Sequence, residues 1–164
     1  MKLIKNVVFI MALFSTVTCA AHQATPSLCT SAETIIFSCA TTKSKTIALC
    51  INKRNQLITY RYGALKKVEL SHSAKLTDEN GFFYNHYFRH GADYSRISFV
   101  VAGYEYAIFK NYDATEAPSP SYGIAISKNG NQQAQIKCQF HVIDNLPKFI
   151  KRLKCNEQSA LGCS

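Results

Sequence analysis

From residue 33 onward, apolar and polar side chains alternate in short runs: ETIIFSC, KTIALCIN, QLITYRY, KVELSH, FFYNHYF, RISFVV, YEYAIFK, YGIAIS and QAQIKCQF. A period of two lets a strand turn one face to a core and the other to water. Ile47, Leu49 and Ile51 share one face, as do Val68 and Leu70, and again Ile97, Phe99 and Val101. The breaks between runs are turn-formers: Thr41 to Lys45, Lys53-Arg54-Asn55, Ala102-Gly103 and Asn129-Gly130. Asn-Gly is the strongest of these, because a type I′ hairpin needs positive φ at both central positions. The pattern predicts an all-β fold, a small antiparallel barrel or sandwich of about eight to nine strands.

Two stretches leave that rhythm. Residues 111–121, NYDATEAPSPS, carry Pro118 and Pro120 and read as a long surface loop. After the last run, Asp144 or Asn145 caps a short C-terminal helix with Pro147 in its first turn. Leu146, Phe149, Ile150 and Leu153 fall on one side of it, and Lys148, Lys151, Arg152 and Lys154 on the other. With so few turns and Cys155 beside it, this reads as a helix packed on the sheet rather than one lying on a membrane.

The amino terminus is of another kind. Lys2 and Lys5 precede an apolar run from Val7 to Phe14, followed by Thr18-Cys19-Ala20. That is the form of an export signal over residues 1–20, too short to span a bilayer. Thr18 stands where a lipobox would carry a small residue, so Cys19 is not read as a lipid anchor. A single β-rich domain over residues 21–164 follows, with residues 21–32 as an irregular lead-in tied down at Cys29, and the expected location is periplasmic or secreted.

Export changes how the cysteines read. Beyond residue 20 there are six: Cys29, Cys39, Cys50, Cys138, Cys155 and Cys163. In an oxidising compartment an even set points to disulfides, and none of the six has the close spacing of a zinc site. Parity puts Cys39 with Ile35 and Phe37, and Cys138 with Ile136 and Phe140. Both sulfurs are therefore expected to point inward and to join the first strand to the last; the other pairings stay open. No metal and no cofactor is expected. The formal charge of +9 becomes +7 once two lysines leave with the signal. Such a surface is drawn weakly to anionic partners, and an exported protein meets few nucleic acids.

The densest chemistry lies in FYNHYFRHGADYSR, residues 83–96. His86 and His90 are spaced as metal ligands would be on a helix, but along a strand they stand roughly 13 Å apart. His22, His72 and His141 have no nearby carboxylate or cysteine in sequence. There is no GxSxG elbow and no HExxH helix, and Asp78-Glu79 sits in a polar turn. Tyrosine and arginine are the types that anchor protein interfaces. Tyr84, His86, Tyr87, Arg89, His90, Asp93, Tyr94 and Arg96 are therefore read as a partner-binding rim around a loop that Gly91 lets turn. The alternative is a small hydrolase or ligand-binding barrel with its site in the same mouth.

Phe37-Ser38-Cys39, then Gly91-Ala92-Asp93-Tyr94, then Phe99 and Gly103 resemble the bacterial envelope inhibitors of c-type lysozyme over roughly residues 37–138. That resemblance implies a small antiparallel β-barrel with a cysteine in its first strand and another near its end. It also implies an exported protein that binds and blocks another, such as a cell-wall hydrolase or a rival's toxin. The family's lysozyme-plugging serine and lysine have no counterpart: Phe88, Arg89 and His90 precede Gly91, and Ala102 precedes Gly103. FSCxxxxxKxxxxC at Phe37 to Cys50 and YRYG at Tyr60 to Gly63 also resemble a group of exported bacterial proteins without assigned function.

Overall fold

The structure, a computed structural model, describes residues 27–164. The export signal expected over residues 1–20 and the start of the expected lead-in lie outside the described residues. The chain forms β1 (Thr34–Thr41), β2 (Thr46–Asn52), β3 (Leu57–Ala64), β4 (Lys67–Lys75), β5 (Phe83–Arg89), β6 (Ala92–Val101), β7 (Tyr104–Asp113), β8 (Ser121–Lys128) and β9 (Asn131–Asp144). A helix α1 (Leu146–Phe149), a 3-10 turn over Ile150–Arg152 and a two-residue strand β10 (Lys154–Cys155) complete it. All ten strands belong to one sheet, in the order β10-β5-β6-β7-β8-β9-β1-β2-β3-β4.

The sheet curls into a half-barrel and does not close, since β4 and β10 remain at its two ends. Long β9 makes the curl possible: its first half pairs with β8 through Lys137, and its second half pairs with β1 from Cys138 to Asp144. Across the hollow the two halves meet through side chains. The His72 ring lies parallel to Phe99 at 5.1 Å, and Tyr60 is 4.8 Å from the same Phe99 ring. Ile36, Phe37, Ile47, Leu49, Ile51, Ile58, Ile97, Ile108 and Ile124 fill the rest of the core. Leu146, Phe149, Ile150 and Leu153 join that core as their spacing requires, with Lys148, Lys151, Arg152 and Lys154 exposed. Asp144 accepts the Leu146 N–H at 2.9 Å, and the Asn145 amide donates to Ile35 O at 3.0 Å.

Each sequence expectation that changes does so for a local reason. The strand count reaches ten because residues 154–155 add in parallel to the edge of β5, a pairing no local pattern signals. The loop expected at 111–121 shrinks to 114–120, since Asn111, Tyr112 and Asp113 stay in register with Tyr94, Asp93 and Ala92. A bulge between Ile35 and Phe37 shifts the parity of β1, so Ile36 rather than Ile35 enters the core. Register shifts between Ser38 and Thr41, with His141 at φ 53, turn Phe140 out to 59% exposure. A further shift beside Gly63 leaves Val68 exposed while Leu70 packs on the core. A Cβ at Gly63 would stand 2.4 Å from Lys67 O, so only glycine permits that approach. Both tight turns form with positive φ at each central residue, Ala102-Gly103 at 51 and 77 and Asn129-Gly130 at 51 and 77.

Three disulfides brace the fold: Cys39–Cys138, Cys29–Cys50 and Cys155–Cys163. The first joins neighbouring strands across 99 residues of sequence, a closure that restrains the unfolded chain by about 4.7 kcal/mol in the loop-entropy picture. The second straps the lead-in onto the outer face of the sheet, where Leu28 covers Ala48 and Cys50. There Arg61 grips Glu33 with two hydrogen bonds, at 2.7 and 3.0 Å. Burial alone would raise the Glu33 carboxyl, but the Arg61 bonds and the Thr30 N–H hold it below its ordinary value. Among the described residues no helix is long and apolar enough to cross a membrane.

Candidate functional site

The chemically dense stretch is the β5–β6 hairpin. Arg89 pairs with Ala92, leaving His90-Gly91 as the turn, with Gly91 in the left-handed region at φ 78. Strand parity divides the hairpin. Tyr84, His86 and Phe88 lie opposite Ile97, Ser95 and Asp93 on the concave side. Tyr87 and Arg89 lie opposite Tyr94 and Ala92 on the convex side, where Asn85 opposes Arg96.

On the concave side, beyond the apolar core, the strands carry a connected set of charges. Asp93 receives Lys110 Nζ at 2.6 Å on one oxygen and faces His86 Nε2 at 3.0 Å on the other. His86 Nδ1 lies 2.7 Å from the backbone oxygen of Ser164. Both ring nitrogens face oxygen acceptors. Lys110 also lies 4.0 Å from Asp144, which accepts the Tyr122 hydroxyl at 3.3 Å. Burial pushes the Asp93 carboxyl up, but the Lys110 and His86 bonds outweigh it and hold the group below its ordinary value. Burial and then the Asp144 charge push the Tyr122 phenol up to about 12.

Ser95 stands between His86 and Lys110 in the ladder, which gives a serine, a histidine and an aspartate on one face. A hydrolytic triad needs the histidine bonded to the serine. Here both imidazole nitrogens face other groups, and the buried Ser95 hydroxyl has no hydrogen-bond partner among the described residues. The arrangement fixes the hairpin against β7 and the C-terminal residues.

The convex side is tied down at its root and open at its tip. Arg96 lies over the Phe109 ring at 5.3 Å and donates to Asn111 Oδ1 at 2.6 Å. Gly123 makes the room, since a Cβ there would sit 2.8 Å from that ring. Tyr94 donates to Asp113 at 3.1 Å, and Arg89 reaches the same oxygen at only 3.7 Å. Around the turn, Tyr87, Phe88, Arg89 and His90 are all exposed, Phe88 at 66%.

The eight residues read from sequence therefore separate. Tyr84 packs on the core, His86 and Asp93 belong to the inner charge network, Tyr94 and Arg96 are held by β7, and Tyr87, Arg89 and His90 form the open tip. Phe88 joins the tip although parity assigns it the inward face, because the end of its strand overshoots the core. Lys110, Asp144, Tyr122 and Asp113 reach the hairpin from other strands, and no spacing within residues 83–96 signals them. The other described histidines stand apart: His72 stacks in the core and His141 sits in a bulge. Among the described residues the one group with metal-ligand proximity is Cys29, Glu33 and Cys50, whose sulfurs are joined to each other and whose carboxylate is held by Arg61. Comparison of the chain with protein-family models, with curated proteins and with solved structures finds no match.

Proposed function

We propose that this chain is an exported protein that binds another protein through the tip of the β5–β6 hairpin and acts by blocking it. The observation that carries the reading is the exposure of Tyr87, Phe88, Arg89 and His90 together on a hairpin whose root is fixed on both faces. Exposed aromatics beside an arginine are what interface hot spots are made of, and a rigid support spares them the entropy of ordering. The three disulfides support an oxidising location, and the resemblance to envelope inhibitors of c-type lysozyme supports blocking as the mode of action.

The test is capture from envelope extract and culture supernatant with immobilised wild-type protein, beside Phe88→Ala and Arg89→Ala. A protein retained by wild type should be lost from both variants, each substitution costing on the order of 2 kcal/mol of binding. Equal retention by wild type and variants overturns the tip as the recognition surface. c-type lysozyme itself should remain active with the protein in excess, because the serine and lysine that plug its cleft are absent.

A further inference from the structure

The convex face carries a second feature, separate from the hairpin tip. Ser98 and Ala107 lie side by side in the β6–β7 ladder and leave the face low there. On one flank Arg96 rests on Phe109; on the other stand Val100 and Glu105, paired across the same two strands. The third side is a wall made by the C-terminal segment. Cys155–Cys163 closes a loop whose backbone is anchored to β5, with Asn156 N–H on Tyr84 O at 3.0 Å and Asn85 Nδ2 on Asn156 O and Gly162 O at 2.8 and 3.1 Å. The result is a groove in two adjoining parts of about 560 and 360 Å³ that share Ser98, Glu105, Asn156 and Gln158. Pockets of this size commonly hold small ligands.

Two polar side chains on its floor each carry an atom that bonds to no described residue. Ser98 is 5% exposed and lines both parts, yet its hydroxyl makes no hydrogen bond with any described residue. Asn85 is 3% exposed; its nitrogen is committed to the loop, while its side-chain oxygen accepts no bond among the described residues. Neither atom is among the fully buried ones left unsatisfied, so both are open to a ligand hydroxyl or amide in the groove.

We propose that this groove is a binding site for a short neutral oligosaccharide. Its lining is electrically balanced, with Arg96 and Lys154 against Glu105 and Glu157, so neither an anion nor a cation is favoured. The remaining groups include the hydroxyls of Ser98 and Ser159, carboxamides from Asn85, Asn156 and Gln158, and the apolar surface of Phe83 and Val100, which suits the flat face of a sugar ring. A peptide could not add to this face as a further strand, because that mode needs free backbone groups at a sheet edge. Here β6 and β7 are interior strands, and the edge of β5 is taken by residues 154–164.

The test is amide-shift mapping by NMR on the full exported chain, titrated separately with chitotriose, cellotriose and tri-alanine to about 10 mM, the range in which weak sugar sites show. At least one saccharide should saturate, with shifts centred on residues 83–85, 96–98, 105–107 and 156–159. Binding of chitotriose alone adds acetamido recognition to the site; binding of both assigns it to the hydroxyls. Gln158→Ala and Ser98→Ala, both side-chain deletions in a pocket, should weaken binding roughly fivefold or more while the melting temperature holds. Arg89→Ala, at the tip, should leave it unchanged. No saturation by either sugar, shifts elsewhere, a preference for tri-alanine, or full affinity in both groove variants would each overturn the proposal.

Discussion

His86 and His90 stand four residues apart on one hairpin and live in different settings. His86 is gripped at both ring nitrogens, by Asp93 and by the Ser164 backbone, inside a network that continues through Lys110 to Asp144 and Tyr122. His90 is at the exposed turn beside Arg89 and Phe88. The root of the hairpin is structural because every charge there has an intramolecular partner. The tip is available because its side chains have run past the strands that would have covered them. What separates structural from recognisable residues here is how far along the hairpin they lie, more than their type.

Breaking the root should have the largest effect. Lys110→Met removes the cation shared by Asp93 and Asp144 and leaves both carboxylates short of a partner. Loss of a charged hydrogen bond of this kind costs about 1.5–3 kcal/mol, read as a fall in urea midpoint without a change in slope. An unchanged midpoint would show that the network is solvated and the root no more structural than the tip.

Acid should loosen the core and then the root, because a group in each favours the form present at neutral pH. Burial holds the His72 imidazole below its ordinary value, with Asp78 offsetting only part, and beside Phe99 its Nε2 has no partner among the described residues. Its folded value is depressed, so its contribution is complete above the unfolded value of about 6.5 and is lost as pH falls from there through the folded value. Asp93 is also depressed, and its contribution is lost as pH falls below about 4. Urea midpoints across that range should show both steps, and His72→Phe should remove the upper one alone. A parallel loss in His72→Phe would assign that step elsewhere.

The smallest change in stability belongs to the tip. Phe88→Ser and Arg89→Ala should each shift unfolding by no more than about 0.5 kcal/mol, as surface substitutions do. A larger loss at Phe88 would mean that its stacking with His86, at 6.4 Å, binds the tip to the root and blurs the distinction between them.

How much of this was legible follows from how far apart the interacting residues are. The strands, the Asn129-Gly130 hairpin, the amphipathic C-terminal turn and the Cys39–Cys138 pair are all encoded in stretches of a few residues, because side-chain parity is a property of a single strand. Parity places Cys50 on the face opposite Leu49 and Ile51, and Cys50 lies on the outer face with Cys29. The same rule fails at Ile35, Phe140 and Val68, where bulges and register shifts reverse the faces. Of the candidate site, the exposed tip could be read from one stretch, whereas the network that holds its root could not, since Lys110, Asp113 and Asp144 arrive from β7 and β9.

By itself the sequence determined the all-β class, the turns, the helix face and one disulfide, since each depends on neighbours within one strand or turn. Only the tertiary structure decided the rest. The curl of the sheet carries β9 from β8 to β1, brings Asp93, Lys110 and Asp144 together, and lays residues 154–164 along β5 to wall the convex groove. Those contacts join segments tens of residues apart, and their geometry depends on twist, bulges and register accumulated over ten strands, which no single stretch of sequence carries.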